Sequence, residues 1–357
     1  MSQHQIAVIG GDGIGPEVTR EAMKVIDTAA DVFGFSIQRT EYPFGTDYYL
    51  EHDEIFPEQA FEEARAMNAI YLGAIGDPRV PVGLIEYGII AKMRFDLDLF
   101  ANVRPIKLYD ERLCPLKDKT VDDIDMVIVR ENTEGAYTGM HGFAHKGQPL
   151  EVSTQTMVYT REGAERVIRY AFELARERNK RKQVTLIDKA NAVRAHDLWT
   201  RTFAEVAAEY PDVKTDHAYV DAACMWLIKN PEWFDVAVTP NLFGDIVTDL
   251  GAMLQGGMGI AASANIHPGR VGLFEPIHGS APKHAGKNVA SPVAAIMASS
   301  LLLDYLGEKK AAAAVEKAIA DLFKSGRLKG VGTGNHPTDE VGDMVVSELK
   351  AVAANVG

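Results

Sequence analysis

Asp245 and Asp249 stand four residues apart in the run Asn241-Leu242-Phe243-Gly244-Asp245-Ile246-Val247-Thr248-Asp249. The run follows a short apolar strand pattern, Val236 to Val238, and Pro240, so it should open a helix with both carboxylates on one face. Adjacent anions repel each other and a divalent cation relieves the repulsion; an all-oxygen donor set suits Mg2+ or Mn2+ rather than zinc. The competing reading is that acidic residues favour a helix N-terminus through capping and the helix dipole. Asp221 has a similar setting, after the strand-like His217 to Val220 and before the helix-like Ala222 to Ile228, and is placed to supply a third carboxylate.

Three arginines lie where ligands of α/β sheets bind, at the ends of elements. Arg94 is late in a helical stretch, Arg104 closes an apolar run before Pro105, and Arg130 ends a strand pattern at the turn Glu131 to Gly135. Singly, each reads first as a surface salt bridge; together they would recognise carboxylates through bidentate guanidinium forks. Tyr137, just past that turn, and Lys189, just past the apolar run Val184 to Ile187, are a candidate acid and base. A lysine near cations or a metal has its pKa drawn toward neutrality.

The elements that must hold these residues repeat one unit. Ile6 to Ile9 is an apolar run that meets a glycine turn, and Glu17 to Ala30 then has a helical pattern. Ala69 to Leu72, Met126 to Val129, Val184 to Ile187 and Val236 to Val238 repeat the strand, which predicts an α/β chain with a largely parallel sheet. Glu151 to Thr160 alternates as a period-2 strand, half of an arm-like hairpin, and the glycine-dense Gln255 to Ala264 reads as a closely packed crossover. From Val293 onward the pattern is helical, with an alanine-rich Ala311 to Lys324 and Thr338 as N-cap of Glu340 to Ala354.

At 357 residues the chain is long enough for two domains. Fifty acidic against 37 basic residues, a net charge of −13, argue against nucleic acid as a partner. Cys114 and Cys224 make no disulfide framework or metal motif, so a reducing cytoplasm is expected. Met1 to Gly10 lacks a signal-peptide pattern and no apolar run is long enough for a membrane span.

Gly11, Gly13 and Gly15 invite the dinucleotide fingerprint, but that pattern needs glycine at its first, third and sixth places, and the sixth here is Pro16. Proline is a helix-start residue in its own right, so the turn reads as a tight turn near a ligand and not as a standard Rossmann site.

Five blocks in order resemble the β-hydroxyacid oxidative decarboxylases, the family of isocitrate and 3-isopropylmalate dehydrogenases. They are Gly11-Asp12-Gly13-Ile14-Gly15-Pro16-Glu17, Leu99-Phe100-Ala101-Asn102-Val103-Arg104-Pro105, Val129-Arg130-Glu131-Asn132-Thr133-Glu134-Gly135, Asn241 to Ile246, and Glu275-Pro276-Ile277-His278-Gly279-Ser280-Ala281-Pro282. The run Gly73-Ala74-Ile75-Gly76-Asp77-Pro78 with Arg94-Phe95 is most similar to the 3-isopropylmalate branch of the actinobacterial kind.

The resemblance implies a two-domain α/β fold distinct from the Rossmann type, and a homodimer with its active site between domains and subunits. Residues 1–103 and 257–357 would form a cofactor-binding domain with both termini. Residues 104–256 would form a central domain with the dimer interface and an arm around 140–160. Arg94, Arg104 and Arg130 would grip substrate carboxylates, and Asp245 and Asp249 would bind Mg2+ or Mn2+ with Asp221 of the partner subunit. Tyr137 and the partner's Lys189 would move protons. Ile14, Asn191, Glu275, His278, Gly279, Ser280, Ala281, Lys283, His284, Asn288 and Ser291 would line the cofactor, with His278 beside the adenine.

The resemblance also puts the reading of the substrate's variable group on the helix before Arg94, where Ile90, Ala91 and Tyr87 lie one and two turns back. Ile90 and Ala91 suit an isopropyl group, whereas Tyr87 either narrows the pocket toward D-malate or tartrate or packs elsewhere. The family activity expected is NAD-dependent oxidative decarboxylation of 3-isopropylmalate in leucine biosynthesis. Isocitrate, homoisocitrate, D-malate or tartrate as substrate, or a non-catalytic regulatory subunit, are the alternatives. Family members that use NAD usually carry an aspartate where this chain has Lys283, so NADP is the rival cofactor.

Overall fold

The computed structural model describes residues 2–354. Its strands are β1 (Gln3–Gly11), β2 (Ser36–Tyr42), β3 (Ala69–Ala74), β4 (Ala101–Lys107), β5 (Asp125–Glu131), β6 (His141–Ala144), β7 (Val152–Gln155), β8 (Gln183–Asp188), β9 (Lys214–Tyr219), β10 (Val236–Thr239), β11 (Ala262–Ile266) and β12 (Gly272–Pro276). The chain divides into two compact units. One comprises Met1–Leu99, Lys107–Asp122 and Ala252–Gly357, and the other Phe100–Ile106 and Asp123–Gly251.

In the first unit the strands run β2-β1-β3-β12-β11. Neighbours are parallel except β11 and β12, which are antiparallel. The helix Gly15–Phe33 begins at Pro16, buries Val18, Ala22, Val25, Ile26 and Ala29 along one stripe, and ends at Gly34. Gly34 has φ 78° and its N–H donates to the Ala30 carbonyl. Val25 and Ala29 of that stripe share a core with Ile296, Val315, Ile319, Phe323 and Val345 of the C-terminal helices, whose small alanines allow close approach. Thr338 opens the helix Thr338–Ala354, but its hydroxyl donates to the Ala290 carbonyl at 2.7 Å, so the residue anchors a loop where an N-cap was expected.

The first glycine turn is closed by protein groups. Asp12 N–H donates to the Ala74 carbonyl at 2.6 Å and Ile14 N–H to the Ser280 carbonyl at 2.8 Å. At Gly13 (φ +60°) a Cβ would lie 2.0 Å from that Ser280 oxygen, so only glycine fits. The Asp12 carboxylate is buried and accepts from Thr46 N–H (2.7 Å), the Thr46 hydroxyl (3.1 Å) and Gly76 N–H (2.8 Å). Backbone donors already bonded in this way do not form a pyrophosphate cradle, which is the physical difference from a Rossmann turn.

In the second unit the order is β4-β5-β10-β8-β9, with β5, β10, β8 and β9 parallel. Helix Arg161–Arg178 starts where the Thr160 hydroxyl accepts from Gly163 N–H at 2.9 Å, and it packs Val167, Ile168 and Phe172 inward. The alternating segment Glu151 to Thr160 is only partly a strand. β7 pairs antiparallel with β6 in a two-stranded hairpin, and Val158 then bridges to Gly135.

Asp12→Ala removes three hydrogen bonds to one buried carboxylate and strands two backbone donors. Thermal or urea unfolding should show a loss of about 3 kcal/mol; an unchanged midpoint would mean that the turn does not depend on this carboxylate.

Candidate active site

β5 delivers Arg130, β4 delivers Arg104, and the helix Asn241–Leu254 that follows β10 delivers Asp245 and Asp249 one turn apart. The Arg130 guanidinium is buried; Nε donates to Asn241 Oδ1 at 2.9 Å and Nη1 to Asp245 Oδ1 at 2.5 Å. A Cβ at Gly244 would fall 2.4 Å from Arg130 Cγ, so this glycine lets the arginine stem lie against the helix. Arg104, also buried, donates to Asn102 Oδ1 at 2.8 Å and Thr248 Oγ1 at 2.6 Å, with Asp249 Oδ1 at 3.5 Å and Asp245 Oδ1 at 3.6 Å. The Tyr137 hydroxyl donates to Asp245 Oδ2 at 3.0 Å, and its ring lies 5.5 Å from the Arg130 guanidinium carbon. Arg104, Arg130, Tyr137, Asp245 and Asp249 are therefore one cluster.

The two aspartates balance two buried cations while keeping their own side chains 40% and 49% accessible. Burial raises the Asp249 carboxyl above its ordinary range; Arg104 opposes this, Asp245 adds to it, and Arg130 opposes it. Two accessible carboxylates at i and i+4 suit a hard divalent cation, but they are only part of a coordination shell. Among the described residues no three His, Cys, Asp or Glu side chains gather as a metal site. Asp221, in the first turn of helix Val220–Lys229, instead accepts from Lys189 Nζ, which holds its carboxyl below the usual range. Asn191 is exposed two residues beyond Lys189.

The remaining candidates belong to the first unit. Arg94 Nη2 donates to the buried Glu275 Oε1 at 2.8 Å, Asn265 Nδ2 donates to the same oxygen at 2.9 Å, and Arg94 Nε is buried without a partner. Before Arg94 the helix is interrupted by a π turn, Tyr87–Ala91. An uninterrupted α-helix would put Tyr87, Ile90 and Ala91 on the Arg94 face; the added residue in that turn alters the register, and Tyr87 is 62% exposed whereas Ile90 and Ala91 are half-buried.

A cleft of about 550 Å³ in this unit is lined by Ile14, His278, Gly279, Ala281 and Ser291, together with Met258 and Val331 to Thr333, which sequence reasoning had not included. The His278 ring has Nδ1 3.1 Å from the Gly279 carbonyl, so Nδ1–H donates there and the buried Nε2 is an acceptor without a partner. Ser280 and Asn288 have structural bonds, to the Gly76 carbonyl and to Asp339. His284 is half-buried, Lys283 is exposed with no partner at its ammonium group, and Lys287 Nζ donates to the Lys283 carbonyl at 2.6 Å.

Comparison with known proteins supplies the deciding observation: the family model described as isocitrate/isopropylmalate dehydrogenase matches residues 5–345. The chain belongs to this family. The 3-isopropylmalate dehydrogenase of Thermobifida fusca is 45% identical over 348 residues, covering 97% of both chains. That of Corynebacterium glutamicum is 47% identical over 352 residues, covering 97% of this chain and all of the relative. Among solved structures, the isocitrate dehydrogenase of Methylococcus capsulatus superposes with a TM-score of 0.87 at 35% identity, covering 97% of this chain and 99% of the other.

Within the family block Val129 to Gly135, side chains alternate: Arg130 faces the aspartates and Glu131 turns into the protein. Glu131 accepts from Thr133 N–H (2.7 Å), the Thr133 hydroxyl (2.8 Å) and Glu134 N–H (2.9 Å), which shapes the turn leading to Tyr137. Burial nevertheless pushes its carboxyl up to about 7, against those three hydrogen bonds. The folded value lies above the ordinary 4.5, so between these pH values the native protein binds more protons than the unfolded chain and stability falls as pH rises. A melting temperature that declines from pH 5 to 7.5, and declines less in Glu131→Gln, is the expected result; parallel curves for the two proteins would contradict it.

Proposed function

We propose that the protein catalyses oxidative decarboxylation of (2R,3S)-3-isopropylmalate to 2-oxoisocaproate with reduction of NAD, the 3-isopropylmalate dehydrogenase step of leucine biosynthesis. The reading is carried by the cluster in which two buried guanidiniums and a tyrosine hydroxyl converge on an accessible carboxylate pair, and the names of its relatives support it. When bound, Mg2+ or Mn2+ supplies Lewis acidity toward the C2 oxygen and the nicotinamide accepts the hydride.

The chain's own groups do the rest. Arg94, Arg104 and Arg130 bind the substrate carboxylates, and the half-buried Ile90 and Ala91 suit the isopropyl group. Asp245 and Asp249 would hold the divalent cation, and the buried forks of Arg104 and Arg130 beside them are placed to take carboxylates. Lys189 takes the hydroxyl proton, and Tyr137 returns a proton to carbon after CO2 leaves. The unpartnered Nε2 of His278 suits the amino group of an adenine, and the cleft it lines belongs to the unit assigned here to the nucleotide, with Asn191 near the nicotinamide. The other unit carries the metal ligands and the dimer contacts.

The dimer reading rests on two observations. Asp221 pairs with Lys189 whereas Asp245 pairs with Arg130 and Tyr137, an arrangement that suits completion of the metal shell by Asp221 of the partner subunit. Met225 and Ile228 on one helix, and Ile246 and Met253 on another, are exposed apolar side chains that a second copy would cover. Among the described residues no helix is long and apolar enough to cross a membrane, and a biosynthetic dehydrogenase with two free thiols is assigned here to the cytoplasm.

The first test is turnover with Mg2+ or Mn2+ on 3-isopropylmalate, isocitrate, homoisocitrate, D-malate and tartrate, each with NAD and NADP. Preference for 3-isopropylmalate is expected; a silent panel would favour a regulatory subunit. Lys283, exposed and unpartnered, favours NADP as a second reading, so the panel includes Lys283→Asp. NAD use that strengthens in Lys283→Asp supports the assignment. A wild-type preference for NADP of roughly tenfold or more, reversed by the aspartate, overturns it.

Subunit sharing has its own test. Lys189→Ala and Asp245→Asn should each be nearly inactive, and an equal, randomly reassorted mixture should recover up to about a quarter of wild-type activity, because about half of the dimers are hybrids and one of the two sites in each hybrid carries neither defect. Hybrids that form without recovery would put every catalytic group on one chain.

A further inference from the structure

His196 is fully buried, titratable, and has no part in the chemistry derived above. Its ring touches three segments. Nδ1 accepts the Lys189 backbone N–H at 3.0 Å, and Nε2 lies 3.0 Å from the Tyr159 hydroxyl. The ring also meets Phe243 edge-on at 5.4 Å and Tyr159 at 5.0 Å. Phe243 is two residues before Asp245 in the same helix. Tyr159 follows Val158, which exchanges both backbone hydrogen bonds with Gly135, two residues before Tyr137.

Because Nδ1 faces an N–H donor, it must be the acceptor, and the proton belongs on Nε2, where it donates to Tyr159. The Lys189 carbonyl accepts from Ala192 and Val193, and His196 N–H donates to the Val193 carbonyl. The imidazole thus returns to the first residue of its own loop and closes it.

We propose that His196 is a positioning residue: a neutral Nε2–H imidazole that fixes the backbone of Lys189 and ties it to the segments carrying Tyr137 and Asp245. Burial lowers the ring's pKa, opposed by the charge of Asp188, and so favours the neutral form. The inference rests on the assignment of Lys189 as the proton acceptor.

The test compares His196→Asn, whose Oδ1 can replace Nδ1 as acceptor, with His196→Leu, which fills the space without one. In the substrate panel His196→Leu should lose about tenfold or more in kcat with KM for hydroxy acid and metal changed less than about twofold, and His196→Asn should recover most of the loss. Equal activity of the two variants, or an unchanged kcat in His196→Leu, overturns the proposal. Lys189→Ala is the control: if it retains activity the assignment of Lys189 fails, whereas an inactive Lys189→Ala beside a fully active His196→Leu defeats only the role of His196. Histidine-selective 15N labelling of the wild-type protein adds a readout independent of activity and of variant folding. An unprotonated Nδ1 and protonated Nε2 at neutral pH are expected, and a cationic or Nδ1–H ring overturns the proposal.

Discussion

Two guanidiniums removed from water must be neutralised, and this requirement organises the second unit. Arg104 and Arg130 are both buried, and an unpaired buried charge would cost several kcal/mol. The helix Asn241–Leu254 meets that cost from its first three turns with Asn241, Asp245, Thr248 and Asp249. The parallel strands β5 and β10 bring the two sources together, because the strand that ends in Arg130 and the strand that leads into the helix lie side by side, with Arg130 opposite Thr239. Gly244 removes the side chain that would otherwise hold them apart. A cluster built this way is charge-balanced, two guanidiniums against two carboxylates.

The first unit meets a different constraint, that of holding several loops at one sheet edge. Its solution is a buried carboxylate: Asp12 bonds to Thr46 and Gly76, and the adjoining backbone bonds to Ala74 and Ser280. Because the turn uses its own N–H groups in these bonds, those groups are not free to cradle a pyrophosphate. The cleft around His278, Ser291 and Val331 offers side-chain and apolar contacts in place of a helix N-terminus. Lys189 and Asp221 illustrate a third kind of arrangement, a pair just past the ends of the adjacent parallel strands β8 and β9, with the Lys189 backbone tied through His196 to the rest of the unit.

Much of the local structure was legible because its causes are local. Strand runs such as Met126 to Val129, the proline-started helix after the glycine turn, and the i, i+4 placement of Asp245 and Asp249 depend on periodicity and on backbone freedom at particular residues. The family blocks were equally legible, since the residue types and their order are properties of the chain. Tertiary structure decided which groups meet. Thr338 has the residue type of an N-cap, yet its hydroxyl is drawn to the Ala290 carbonyl, a partner 48 residues away. The π turn at Tyr87–Ala91 cannot be read from an apolar period of about four, and it changes which side chains share a face with Arg94. His196 lacked any motif; its role follows from three contacts made across loops and helices. The sequence by itself determined the elements and the chemical inventory, because these follow from local sterics and spacing. Only the folded chain decided that Arg104 and Arg130 share Asp245 and that Asp221 lies with Lys189, because the pairing of charges depends on contacts between residues far apart in the chain.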